Sequence, residues 1–220
     1  MLKTYVQAFF YDARQSYLRQ SRKRRSHSFV QDFLKLHYIM LDAGVALDAT
    51  NISGANVSLS SNNTYETVCM LSTAPGRGGA GHIGSDASAV SSTVLWSSSA
   101  NNGIVVGTGT TAVAPTDFAL TTQVADGITS GTLEHFPSSG TNITTAGSTA
   151  SFTLERLFRN SSSGSITINE VAVYGCWVRS GGSNSIVQAH FCLLRDLVSP
   201  GFVVANGEYL RIVYTLSVTA

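Results

Sequence analysis

Apolar and polar residues alternate over much of the second half of the chain. The clearest case is residues 208–218, where every second residue from Leu210 to Val218 is apolar and Arg211 and Thr215 lie between them. Alternation with a period of about two predicts a strand with one buried face. Similar apolar stretches bounded by turn residues predict further strands over 151–158, 165–175 and 186–194.

One of these strands requires an irregularity. Its apolar residues Ile166, Ile168, Val171 and Val173 can share one face only if the register changes near Asn169. An extra residue in a strand produces such a change, so the sequence predicts a β-bulge or an overlaid turn at this point.

Turn residues separate the predicted strands. Residues 160–164 are rich in Asn, Ser and Gly, and Asn206 precedes Gly207. An Asn-Gly pair tolerates positive φ at both central positions of a tight turn, so this pair predicts a hairpin.

The N-terminal 44 residues have a different pattern. Over residues 2–20 the large apolar side chains are spaced more like a helix than a strand, and over 29–42 they recur every three or four residues before Gly44. The pattern predicts two amphipathic helices that form a helical arm at 1–44. Short helices are marginal in water without a packing partner, so we expect the arm to dock on another subunit.

Composition supports a β domain over residues 45–220. Charged residues make up only 12% of the chain, about half of the roughly 25% usual in soluble domains. Short apolar stretches alternate with clusters of Ser, Thr, Asn and Gly, which favours a sandwich or a barrel over a helical bundle. We therefore predict a jelly-roll-like β-sandwich preceded by the helical arm, with an exposed loop at 74–92.

Basic residues are concentrated near the N-terminus. The chain has a net charge of +1, but residues 1–50 hold 8 of its 14 Lys and Arg and only 4 of its 13 acidic residues. Such a cluster suits an acidic protein surface or several phosphates, and a solvated linker has the same composition. We favour a protein partner over nucleic acid. The predicted partner-binding residues are Phe9, Phe10, Tyr17, Arg19, Arg22, Lys23, Arg24 and Arg25.

Motifs for catalysis are weak. Gly76, Gly78 and Gly81 have the spacing of a dinucleotide-binding loop, but no helical pattern follows them. The acidic residues that could act as a pair in hydrolysis are Asp117, Glu134, Glu155 and Glu170, and nothing in their spacing selects two of them. We therefore predict a protein without catalytic residues or a cofactor.

Metal binding and membrane insertion are also disfavoured. His190 and Cys192 lie two apart on a predicted strand and Cys176 could be a neighbour, but spacing supplies no further ligand. Three cysteines without a CxxC pair indicate a reducing compartment. The chain shows neither a signal-peptide pattern nor about 18 consecutive apolar residues. Trp96 and Trp177 could stack on a sugar, although such residues more often pack in a core.

Four blocks of sequence, taken together, point to a family. Residues 104–136, 152–175, 191–200 and 203–220 resemble, in the same order, a family of tailed-bacteriophage virion structural proteins. The resemblance implies a component of the neck, tail or head surface of a virion, without catalytic machinery. Its implied partners are other virion proteins and further copies of itself.

Two other functions stay open. Sandwiches with long polar loops often display carbohydrate- or receptor-binding sites, and a polysaccharide-degrading tail enzyme is a further alternative. Three polar positions within the blocks are expected to hold the fold instead: Asp117 as a cap for backbone N–H groups, Asn169-Glu170 at the bulge, and Arg195-Asp196 as a local charge pair.

Overall fold

The protein is mainly β. The computed structural model describes residues 2–26, 29–41, 46–60, 66–69, 94–95, 101–180 and 186–220. Its elements are, in chain order, β1 (Leu2–Tyr11), β2 (Tyr17–Gln20), β3 (Arg24–Ser26), α1 (Gln31–Leu41), β4 (Ala46–Thr50), β5 (Asn56–Ser60), β6 (Glu66–Cys69), β7 (Val94–Leu95), β8 (Gly103–Gly107), β9 (Glu134–Gly140), β10 (Thr144–Ala146), β11 (Thr149–Arg159), β12 (Ile166–Ser180), β13 (Ile186–Val204) and β14 (Tyr209–Thr219).

The predicted helix over residues 2–20 is wrong. These residues form β1, the turn after it and β2, and β1 pairs along its whole length with β14. Thr4, Val6, Ala8 and Phe10 point into the protein, whereas the alternate residues on the other face are half-buried. Large side chains on both faces of a strand imitate the spacing of an amphipathic helix. Residues 2–26 are therefore part of the β structure and form no helical arm.

Within the described residues, the larger sheet has eight strands. Its order is β2-β1-β14-β11-β9-β7, with β10 also paired to β11 and β3 also paired to β1. All of these pairs are antiparallel, and β14 lies between β1 and β11 with both registers unbroken. The predicted strands at 151–158 and 208–218 are confirmed as β11 and β14.

A second sheet contains four of the strands that the structure describes. Its order is β13-β12-β6, and β8 also pairs with β12. The predicted strands at 165–175 and 186–194 are confirmed as parts of β12 and β13. The bulge predicted near Asn169 is also confirmed, because the register against β13 shifts between Ile168 and Glu170.

Residues from both sheets share one hydrophobic core. Leu210, Ile212 and Tyr214 of β14 belong to the same cluster of buried residues as Ile168 and Val173 of β12. Fully burying a large apolar side chain stabilises a protein by about 1.5–3 kcal/mol. The alternating residues of β14 therefore contribute much of the free energy that holds the larger sheet in place.

The second predicted helix is confirmed as α1. Its Leu36 is buried in the core cluster and Phe33 packs against it, while Leu34 and Tyr38 are exposed. The Gln31 backbone N–H donates to the Pro115 carbonyl, which attaches the start of the helix to the segment between β8 and β9. Strands β4 and β5 pair with each other as a separate two-stranded sheet.

The Asn-Gly turn is present, but it does not close a hairpin. Gly207 has a φ of +81° and the Glu208 N–H donates to the Ala205 carbonyl. The strand before the turn, β13, belongs to the four-stranded sheet, whereas β14 belongs to the eight-stranded sheet. The turn therefore carries the chain from one sheet to the other.

Candidate binding face

Residues 17–26 contain most of the basic cluster, and we call them the basic segment. They lie along one edge of the eight-stranded sheet, which we call the basic edge. Strands β2 and β3 pair with the two halves of β1, opposite the side on which β1 meets β14. Three cations of this segment lie over aromatic rings, at 4.1 Å for Arg19 and Phe10, 4.7 Å for Lys23 and Tyr5, and 5.5 Å for Arg24 and Phe202. Cation–π contacts of this kind hold the segment against the sheet.

Arg19 also forms an ion pair at this edge. Its Nη1 and Nη2 donate to the two carboxylate oxygens of Glu208 at 2.7 and 2.9 Å, and Nη2 donates to the Val203 carbonyl at 2.8 Å. The hydrogen bond to Glu208 raises the pKa of Arg19, and the same bond lowers the pKa of Glu208. Two-point contact with a carboxylate fixes the guanidinium plane.

The predicted partner-binding residues lie in different environments. Phe10 is in the core and is 4% exposed, and Phe9 lies on the opposite face with the Arg211 guanidinium 5.4 Å from its ring. Tyr17 is 55% exposed and contacts the Tyr11 ring edge-on. The cations Arg19, Lys23 and Arg24 are held as described above, whereas Arg22 and Arg25 have exposed side chains.

The face of the eight-stranded sheet turned away from the core carries a groove. The groove has a volume of about 360 Å³. Strands β1, β9, β11 and β14 all contribute side chains, and the turn between β1 and β2 contributes Gln15. We call it the outer groove, and the residues that matter most for its chemistry are Tyr11, Ser139, Glu155, Leu157, Tyr209 and Arg211.

A row of hydrogen bonds crosses the outer groove from strand to strand. Ser139 Oγ donates to Glu155 Oε1 at 3.2 Å, and Arg211 donates to Glu155 Oε2 from Nε at 3.0 Å and from Nη2 at 2.5 Å. Arg211 Nη1 donates to the Tyr11 hydroxyl at 3.4 Å. Burial alone would lower the pKa of Arg211, but the hydrogen bonds to Tyr11 and Glu155 raise it. The row therefore keeps Arg211 charged and fixes the positions of the side chains that form it.

A buried ion-pair cluster fixes the segment after β8. Arg195 of β13 donates from Nη2 and Nε to Glu170 Oε2 at 2.8 and 3.1 Å, and from Nη1 to Asp117 Oδ2 at 2.7 Å. Glu170 also accepts the backbone N–H groups of Gly109, Thr121 and Thr122. Because the side chains of both Arg195 and Glu170 are almost fully buried, these bonds are needed to compensate their desolvation.

The contacts of this cluster bear on three predictions, those for Arg195-Asp196, Asp117 and Asn169-Glu170. Arg195 pairs with Glu170 and Asp117, and Asp196 instead accepts the Tyr214 hydroxyl at 2.9 Å, so the local Arg195-Asp196 charge pair is wrong. Asp117 accepts the Ala114 N–H as a turn cap, which confirms the expected capping. The hydrogen bonds of Glu170 tie the bulged strand to a neighbouring segment.

A second buried polar cluster lies on the core side of β9 and β11. Arg156, which is 1% exposed, donates to the carbonyls of Phe136, Asn102 and Ile104. His135 is 5% exposed and neither ring nitrogen has a hydrogen-bond partner. Burial and, to a smaller extent, the charge of Arg156 lower the pKa of His135 to about 4, and Asp126 opposes this shift. Burial also lowers the pKa of Arg156 to about 10. The imidazole is therefore neutral at pH 7.

The remaining candidates for chemistry are placed as follows. The Glu134 carboxylate accepts the Ser161 hydroxyl and lies 3.8 Å from Arg159 Nη1. Burial raises the pKa of the Cys192 thiol, whose Sγ contacts the Leu194 carbonyl. In the backbone register Cys176 lies opposite His190. The loop at 74–92 with its three glycines, and Trp96, lie outside the described residues.

The described residues contain neither a cluster of metal-ligating side chains nor a membrane-spanning helix. Within this part of the chain, His, Cys, Asp and Glu side chains form no group of three or more that could hold a metal ion. None of the helices among the same residues is long and apolar enough to span a membrane.

The outer groove was not predicted from the sequence. Tyr11, Ser139, Tyr209 and Arg211 are far apart along the chain and meet because β1, β9, β11 and β14 are neighbours in one sheet. The available signal was local: an aromatic and a charged residue, Tyr209 and Arg211, share the face of β14 opposite its apolar residues.

Comparisons with protein-family models, curated proteins and solved structures found no match to this chain.

Proposed function

We propose that this protein is a non-enzymatic structural component of a tailed-phage virion, located at the neck, the tail or the capsid surface. It assembles with other virion proteins and with further copies of itself, in particles formed in the host cytoplasm. The class of function comes from the resemblance of the four sequence blocks described above. The docking surface is assigned from the geometry of the basic edge.

The observation that supports this docking surface is that contacts with aromatic rings hold the basic segment against the sheet. Arg19, Lys23 and Arg24 are held over aromatic rings, so the backbone of residues 17–26 is fixed before any partner binds. Arg22 and Arg25 remain exposed on this fixed segment. A preformed surface loses less conformational entropy on binding, and its positive charge speeds encounter with an acidic partner surface.

The fold that we propose for this role is a jelly-roll-like β-sandwich. Two observations support it. Strands β11 and β14 pair in one sheet while the intervening strands β12 and β13 pair in the other, so a folded ribbon passes between the two sheets. Residues of both sheets also meet in one core cluster. Such ribbons are typical of jelly rolls, which are common in viral particles.

The docking proposal is tested by charge reversal in the virus. Particles are purified from infections in which the protein carries Arg25→Glu, and incorporation is scored by immunogold labelling and by mass spectrometry. We expect Arg25→Glu to reduce incorporation at least about tenfold, equivalent to about 1.4 kcal/mol of binding free energy. The matched control is Arg14→Glu, since Arg14 is also exposed but lies in the turn before β2.

Each outcome has a defined meaning. Label at one location on native particles, with reduced incorporation of Arg25→Glu alone, supports both the virion role and the basic edge. Equal incorporation of both variants contradicts the docking surface. Native particles without the protein, with the protein free in the lysate, contradict the virion role.

A second candidate function is a carbohydrate- or receptor-binding module. The observation that favours it is the outer groove, whose polar row and aromatic walls lie on a different surface from the basic edge.

A further inference from the structure

The outer groove has the features of a preformed ligand site. Its volume of about 360 Å³ lies at the lower end of the range of about 300–1,000 Å³ for small-molecule sites. From this geometry we infer that the outer groove binds a short, neutral saccharide. The inference goes beyond the proposed structural role and holds whether or not the protein is part of a virion.

The charges in the outer groove favour a neutral ligand. Glu155 and Arg211 form an ion pair with each other, so neither charge requires a ligand to compensate it. The N–H groups of Arg156 donate to backbone carbonyls of β8, β9 and the residue before β8, and so they are already engaged. An anionic ligand would gain from Arg211 but would be repelled by the Glu155 carboxylate beside it.

The polar row has unused hydrogen-bonding capacity of both kinds. A guanidinium has five N–H groups, and Arg211 uses one each on Nε, Nη1 and Nη2 within the row. The Tyr11 hydroxyl accepts from Arg211 and keeps its own hydrogen as a donor. Glu155 and Ser139 retain acceptor lone pairs. Adjacent sugar hydroxyls each donate and accept, so they match such a mixed row better than an apolar molecule does.

Aromatic side chains give the groove an apolar wall. The Tyr209 ring contacts Phe136, with ring centroids 6.1 Å apart, and the Arg159 guanidinium lies 5.5 Å from its centroid. Tyr11 lines the groove as well and is contacted by Tyr17. Rings such as these combine an apolar face with a polar tip, which suits the C–H faces and hydroxyls of a sugar. Because neighbouring side chains already position them, binding does not require their ordering.

The first experiment screens the purified full-length protein on an array of neutral oligosaccharides that contain glucose, galactose, mannose or N-acetylglucosamine. Sialylated and sulfated oligosaccharides on the same array form the anionic arm. We expect binding to at least one neutral structure, which is then titrated by calorimetry. An array without binding, or with binding to anionic structures alone, overturns the inference.

Variants then locate the site. Glu155→Gln removes the negative charge from the polar row and leaves Arg211 without its carboxylate, and we expect it to weaken saccharide binding at least tenfold. The matched control is Glu208→Gln, because Glu208 also pairs with an arginine but lies at the basic edge. Equal affinities of the native protein and Glu155→Gln would place binding elsewhere and overturn the assignment.

A measurement on the native protein keeps the test decisive if Glu155→Gln does not fold. Amide hydrogen exchange is followed with and without the saccharide found on the array. We expect slower exchange in the strands that line the groove, with no change at β3. Protection confined to other parts of the chain contradicts the assignment, and virion incorporation is measured separately, so the two proposals can fail independently.

Discussion

Acidification tests the buried His135 of the second polar cluster. Its imidazole is 5% exposed, has no hydrogen-bond partner at either nitrogen and lies near the charged Arg156. Lowering the pH adds a proton readily to this side chain in the unfolded chain, where its pKa is about 6.5. In the folded protein burial lowers that pKa to about 4. The unfolded state therefore binds more protons between these two values, and stability falls as the pH decreases through this interval.

The magnitude follows from the two pKa values. At pH 7 the imidazole is mostly neutral in both states, so it affects stability little. At pH 5 it is almost fully protonated in the unfolded state and mostly neutral in the folded state. The free energy of unfolding should decrease by about 2 kcal/mol from pH 7 to pH 5. For a chain of this size that corresponds to a decrease in Tm of about 4–8 °C.

The assay is urea unfolding of the native protein and of His135→Phe at intervals between pH 7 and pH 5. This range lies above the ordinary pKa values of the carboxylates, and the difference between the native protein and the variant isolates the contribution of His135. We expect His135→Phe to lose most of the pH dependence. The control is His190→Gln, because His190 is only half-buried and should account for less of the slope. An unchanged slope in His135→Phe would refute this explanation, whatever its effect on overall stability.

Two further variants test the buried ion-pair cluster of Arg195, Glu170 and Asp117. Glu170→Gln should lower the free energy of unfolding by about 3–5 kcal/mol, because it leaves the buried Arg195 without one of its carboxylates, and urea unfolding at pH 7 measures this. Gly109→Ala should destabilise by more than about 1 kcal/mol, because the new Cβ would lie 2.5 Å from Glu170 Oε1 and 2.8 Å from Thr121 Cβ. Gly164→Ala is its control, since nothing lies within 4 Å of that Cβ, and equal stabilities of the two glycine variants would contradict the steric argument.

The strands that the sequence predicts well are those with one apolar face. β14 is the clearest example, because buried residues alternate with half-buried ones from Leu210 to Thr215. The helical prediction for β1 is wrong because Tyr5, Phe9 and Tyr11 place large side chains on its outer face. Those side chains are there for contacts with the basic segment and with Arg211, and such contacts become visible only when the strand order is known.

The candidate sites are less predictable than the strands because they join distant residues. Glu170 and Arg195 lie on adjacent strands, but their partner Asp117 comes from a segment without regular structure. The spacing of these residues along the chain does not predict that their side chains are in contact. Local chemistry is more accessible, as shown by the Asp117 cap and the bulge at Asn169, both of which depend on neighbouring residues.

The position of the basic segment also limits how copies of the chain can associate. A sheet edge with unpaired backbone groups can pair with the edge of another copy, and natural proteins prevent this with charged side chains and short edge strands. β2 and β3 are four and three residues long and carry most of the basic cluster. Two copies meeting at this edge would bring like charges together, whereas an acidic partner would not. This charge distribution is consistent with our proposal that the edge binds a different protein, and under that proposal we expect self-association to use another surface.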